Sequence, residues 1–219
     1  MRIDRYLTDY DTVSRRHLVV DAPPERTYET MLSVDLADLG PVADALGTLR
    51  TLPARVGAWL RGSPVDTDLD SFTFGDLPTR GSWIRLADTG DEFVFGAVGT
   101  VWRPDIEWVD LTAESFEQFD RPGYAKIVAG FSLRPYGRDR TLVTYEARTA
   151  GTDPVATRRF GRYWRVVGPF VGYVLARVLR RIGTVAEADD EGDGDGHRGE
   201  DGASTVFDTV RSVVRRRTT

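Results

Sequence analysis

The 219-residue chain contains no cysteine. Disulfides, thiolate metal sites and thiol nucleophiles are therefore excluded, and a reducing compartment fits. It contains no asparagine, so there is no N-glycosylation sequon. Histidine occurs only as His17 and His197, too few for a metal cluster built on paired imidazoles. The longest apolar run, Val166 to Ala176, is about half of what a membrane span needs. Met1 to Tyr10 is polar and charged, so no secretory leader is expected. Taken together, these absences point to a soluble cytoplasmic protein.

What charge there is sits unevenly. The formal net charge is −5, but Glu187 to Asp201 sets eight acids against Arg198 alone. From Gly202 onward, Arg211, Arg215, Arg216 and Arg217 outweigh Asp208. The body before this tail is close to neutral, which argues against nucleic acid as a partner.

The dominant pattern runs from Asp153 to Ala188. At 100° per residue, Phe160, Trp164, Val167, Val171, Val174, Val178, Ile182 and Val185 share one stripe. Arg158, Arg159, Arg162, Arg165, Arg177 and Arg180 fall opposite. One long amphipathic helix is predicted, with Asp153 as N-cap and Pro154 at its first position. Pro169 falls opposite the stripe, either bending the helix toward a sheet or serving as a hinge. Upstream, residues 14–22 read as a strand and Pro23-Pro24-Glu25 starts a helix. A second helical stretch follows Gly40-Pro41, interrupted at Pro53. From Leu69 onward, segments rich in Phe, Val, Trp and Thr alternate with turn signals. Strands are expected near 69–77, 81–88, 91–102, 106–111, 123–134 and 140–150, with a helical turn or two over 114–120.

The fold class is thus α+β: an antiparallel sheet of about six to seven strands, two short helices after the first strand, and a long C-terminal helix offered to the sheet. Residues 1–188 form the domain, 189–204 an acidic disordered linker, and 205–219 a short basic amphipathic tail. Val206, Phe207, Val210, Val213 and Val214 give that tail an apolar stripe. It is a disordered but helix-prone end that, when ordered, is read as docking on protein, with peripheral membrane contact through 205–217 as a second reading.

Two motif matches fail. Gly194 to Gly199 spells G-x-G-x-x-G, but follows no strand and lies among carboxylates that would repel a pyrophosphate. Asp66 to Asp70 opens like a calcium loop, yet Ser71 and Leu77 stand where Gly and Glu are needed. No metal or cofactor is implied. The candidate proton-moving residues are Glu146, mid-strand, and His17 on the first strand, and the face Glu146 takes depends on hairpin register.

The stretch Val19-Val20-Asp21-Ala22-Pro23-Pro24-Glu25-Arg26-Thr27-Tyr28 is similar to a strand-to-helix junction common in the SRPBCC superfamily, the START-like or Bet v 1-like helix-grip proteins. Gly123-Tyr124-Ala125-Lys126, Tyr145-Glu146-Ala147-Arg148 and Arg162-Tyr163-Trp164 resemble bacterial and archaeal members. The resemblance spans about residues 12–188. It implies a curved sheet wrapped around the C-terminal helix, with a cavity between them for an apolar ligand such as a lipid or polyketide. Trp83, Phe95, Trp102, Phe131, Tyr145, Glu146, Trp164, Val167 and Val171 are the expected cavity residues. Two further readings stand beside hydrophobic-ligand binding. One is a cyclase- or dehydratase-type enzyme using Glu146 or His17 in an apolar pocket; the other is a scaffold acting through its tail.

Overall fold

The computed structural model describes residues 1–35, 73–76 and 82–191, the last three of these by backbone alone. In chain order the elements are α1 (Ile3–Tyr6), β1 (Thr12–Val20), α2 (Pro24–Ser33), β2 (Ile84–Asp88), β3 (Glu92–Gly99), α3 (Ala113–Gln118), β4 (Ala125–Pro135), β5 (Thr141–Gly151) and α4 (Pro154–Glu191). The strands form one antiparallel sheet in the order β1-β5-β4-β3-β2. Gly90 and Gly137, with φ of 78° and 74°, supply the left-handed backbone of the β2–β3 and β4–β5 turns.

The long helix forms where the periodicity put it. Asp153 caps it, its Oδ1 accepting from the backbone N–H of Val155 and of Ala156 at 2.9 Å. Those bonds, that of Ala156 first, hold the Asp153 carboxyl below its ordinary pKa. Phe160, Val167, Val174, Val178 and Ile182 are buried, whereas the arginines of the opposite side are exposed. Pro169 lies on that exposed side, beside Val166 at 75 % exposure. Seating the helix start depends on Gly151: a Cβ there would lie 2.3 Å from the Thr157 backbone nitrogen. No described helix is long and apolar enough to cross a membrane.

Five strands are present among the described residues, not six or seven. Residues 106–111 make only a single bridge, Gly99 to Trp108. The alternation there is genuine, but the backbone is spent on a tight return in which Thr100 N–H donates to the Glu107 carbonyl. The chain then starts α3 through a reciprocal Thr112–Ser115 capping box. Residues 73–76, expected in a strand, form a turn. The helical stretch predicted after Gly40, the strand start at 69–72, the linker beyond Glu191 and the tail at 205–219 lie outside the described residues. The short α1 was not foreseen.

Because side chains alternate across a strand, the sheet has two distinct faces. Phe93, Phe95, Ala129, Phe131, Leu133, Val143, Tyr145, Leu18 and Val20 meet Val174, Val178, Leu179 and Ile182 of α4 in the main core. The opposite face is covered too. Ile3 and Leu7 from the N-terminal segment, with Phe116 of α3, pack over Leu86, Val94, Val98 and Val128. A third cluster sits at the N-terminal end of α4, where Phe160 packs with Val101 and Ala125 beneath Trp102, Trp108 and Trp164.

Phe160 is 2 % exposed and stacks on Trp164, which is only half-buried. Phe160→Ala is expected to cost about 3–5 kcal/mol, because the cavity opens where helix meets sheet. Trp164→Ala is expected to cost less. Urea denaturation of both variants orders the two, and the reverse order would mean the helix is seated through Trp164.

Candidate functional site: the interior between sheet and long helix

Strand pairing arranges the helix-facing residues in rows across β3, β4, β5 and β1. One row reads Phe93, Phe131, Tyr145, Arg16; the next Phe95, Ala129, Ala147, Ser14; the next Ala97, Ile127, Thr149, Thr12. Bulk therefore falls away after the first row, and the middle row is shallow at Ala129 and Ala147. Along the helix above these rows, Phe160 belongs to the tryptophan-rich cluster and Phe170 and Val174 to the main one, while Val167 and Val171 join neither. The sheet is thus lined by small residues in its middle row.

The expected cavity residues divide cleanly. Phe95, Phe131 and Tyr145 face the helix, and Trp83 packs edge-on against Phe95 with centroids 5.4 Å apart. Trp102 and Trp164 join the cluster at the helix start, where the Trp102 indole Nε1 is buried without a hydrogen-bond partner among the described residues. Val167 is buried and Val171 half-buried along the seam. The structure therefore puts eight of these residues on the helix side of the sheet. Glu146 is the exception.

Glu146 is buried, but on the other face. The register that turns Tyr145 toward the helix turns Glu146 away from it. There it meets Arg148 at 2.7 Å and Arg15 at 2.6 Å. Arg148 also donates to the Leu7 carbonyl at 2.9 Å, pairs with Asp4 at 2.6 Å, and lies 4.8 Å from the Tyr10 ring centroid. The apolar pocket expected around Glu146 is instead a charged network that fastens the N-terminal segment. His17 shares this outer face, exposed, with Nδ1 2.9 Å from Thr144 Oγ1. Neither proton-moving candidate reaches the interior.

An open depression of about 450 Å³ also lies on this side, lined by Met1, Arg2, Asp91, Glu92 and Arg134. Its polar groups already serve one another: Arg2 N–H and Arg134 both bond to Glu92, at 2.6 and 2.9 Å.

The sequence reading missed a polar strip on the helix-facing side of the β1–β5 pair: Thr12, Ser14, Arg16, Tyr145 and Thr149. The signal was available. Leu18 and Val20 belong in a core, and Arg16 and Ser14 share their parity on the strand. Arg16 donates to the Arg15 carbonyl at 3.2 Å and has no carboxylate partner among the described residues. Burial draws its pKa down, and burial pushes the Tyr145 phenol up.

No protein-family model matches the chain, and no curated protein does. Among solved structures it is similar to TTHA0849 from Thermus thermophilus, at 14 % identity over 81 % of this chain and 98 % of that one, TM-score 0.32. It is similar to the hypothetical protein jhp0584 from Helicobacter pylori, at 9 % identity over 84 % and 93 %, TM-score 0.38. It is also similar to CalU16 from Micromonospora echinospora, at 14 % identity over 82 % and 97 %, TM-score 0.23. Likenesses this distant say nothing about chemistry.

The outer network yields a prediction. Removing Arg148 leaves Glu146 buried with one partly exposed arginine, so Arg148→Met is expected to cost about 3–5 kcal/mol in urea denaturation. The hydrogen bond from Arg148 holds the Asp4 carboxyl below its ordinary pKa. A depressed carboxyl pKa stabilises above the unfolded value and loses that contribution as pH falls through the folded one. Amide protection of residues 3–7 is therefore expected to weaken below about pH 4. Asp4→Asn should abolish that dependence; an unchanged acid profile in the variant would count against the tether.

Proposed function

We propose that the chain is a helix-grip protein of the SRPBCC type that binds a hydrophobic small molecule, such as a lipid or polyketide, between its sheet and α4. The observation carrying this reading is the seam beneath α4: Val167 and Val171 stand outside both apolar clusters, over a row that narrows to Ala129 and Ala147. An apolar helix face over small sheet residues favours an apolar guest, because dispersion contacts and exclusion of water both reward filling space there. Aromatic side chains at both ends of the seam suit a flat or extended ligand.

The enzyme reading has weaker support. Glu146 and His17, its proton-moving residues, lie across the sheet from the interior. Binding for transport or sequestration needs neither.

Native mass spectrometry of freshly expressed protein tests the proposal. An apolar adduct lost on denaturation is expected, together with uptake of N-phenyl-1-naphthylamine by protein stripped of it. Ala147→Phe fills the shallow row and is expected to remove both signals while leaving the sheet's circular dichroism intact. A bare mass with no dye uptake would overturn the reading.

A further inference from the structure

The polar strip inside the grip names a class of ligand. Ser14 and Tyr145 are buried at 7 % exposure, and Thr12 and Thr149 at 4 % and 6 %. Among the described residues none of these four hydroxyls has a hydrogen-bond partner, and the Arg16 guanidinium has only the carbonyl of its own neighbour. These hydroxyls, on buried residues but not themselves sealed from solvent, form a row free to meet an acceptor.

The charge balance of the same face sharpens this. Across the helix-facing positions of β1, β3, β4 and β5, Arg16 is the one cation, and neither aspartate nor glutamate occurs. Every acid of those strands, Glu92 and Glu146, points to the outer face and is paired there. Arg16 is thus half-withdrawn from water beside Tyr145, its direct partner in register, with no carboxylate partner among the described residues. A single guanidinium flanked by neutral hydroxyls suits one negative charge spread over two oxygens, the geometry of a carboxylate. A phosphate monoester would bring a second charge that nothing on this face meets.

We propose that Arg16, flanked by Ser14 and Tyr145, anchors the carboxylate of an amphipathic acid whose apolar body lies along Ala147 and Ala129 beneath Val167 and Val171. The inference rests on the reading of the interior as a hydrophobic-ligand site, and supplies the head group that reading leaves open. Orientation follows from it: the acid lies at the β1 edge and the tail runs inward.

Tryptophan fluorescence titration of the full chain with decanoate and with decanol, at pH 8, separates the two claims. Wild-type protein is expected to prefer decanoate by roughly tenfold or more, the scale of one charge-assisted contact. In Arg16→Gln the preference should fall to near one, with decanol affinity kept. Tyr145→Phe should reduce it a few-fold, whereas Arg165→Gln, on the exposed side of α4, should leave it intact. Arg16→Lys, which keeps the charge, should retain part of it and guards against a folding defect in the glutamine variant. Equal binding of acid and alcohol by wild type, or a preference that survives in folded Arg16→Gln, would overturn the anchor while leaving the binding site standing. Binding of neither probe would overturn the site, and the anchor with it.

Discussion

A strand covered on both faces must choose, residue by residue, which side receives each side chain, and β5 is such a strand. Its odd-numbered residues, Val143, Tyr145, Ala147 and Thr149, meet the helix, and its even-numbered Glu146 and Arg148 meet the N-terminal segment. Everything else in the fold is arranged around that alternation. Because β5 lies between β1 and β4, a slip of one residue would carry a buried ion pair into the apolar seam and the Tyr145 ring out under the segment. Neither exchange is tolerable. The cost of stranding Glu146 and Arg148 without each other is far larger than what the intact pair contributes. The network's value is therefore in fixing register rather than in adding stability.

This explains which parts were legible in advance. The long helix, its cap and its buried stripe follow from local periodicity and needed no knowledge of the sheet. Hairpins were visible through Gly90 and Gly137. The side chosen by Glu146 was not, because a half-apolar strand in isolation has no marked inner face. Only pairing with β1, where Leu18 and Val20 declare theirs, breaks the symmetry. The strand expected over 106–111 failed for a related reason. Alternation records that two sides differ, but says nothing about whether a neighbouring edge is free to pair. Ser14 and Arg16 went unnoticed because polar residues on a strand suggest solvent, whereas here they share a face with the core.

The two faces also divide the labour of the sheet. Outside, charges are matched to charges and the N-terminal segment is tied down by Asp4, Leu7 and Arg5, which pairs with Glu117. Inside, the hydroxyls of Ser14 and Tyr145 have no partner among the described residues, and the apolar contacts fall into two groups.

The long helix, finally, is a beam clamped at both ends. At its start the carboxylate of Asp11 receives hydrogen bonds from Thr157 and Gly151, each 2.8 Å long. Toward its far end Glu187 accepts from the Asp21 backbone at 3.1 Å, and Gly183 lies against Leu18. A beam held this way yields at mid-span. There the sequence has Gly168, Pro169 and Gly172, and the proline deletes one rung of the backbone ladder. Thickening the contents of the seam would therefore bow the middle of the helix outward while both supports stay fixed.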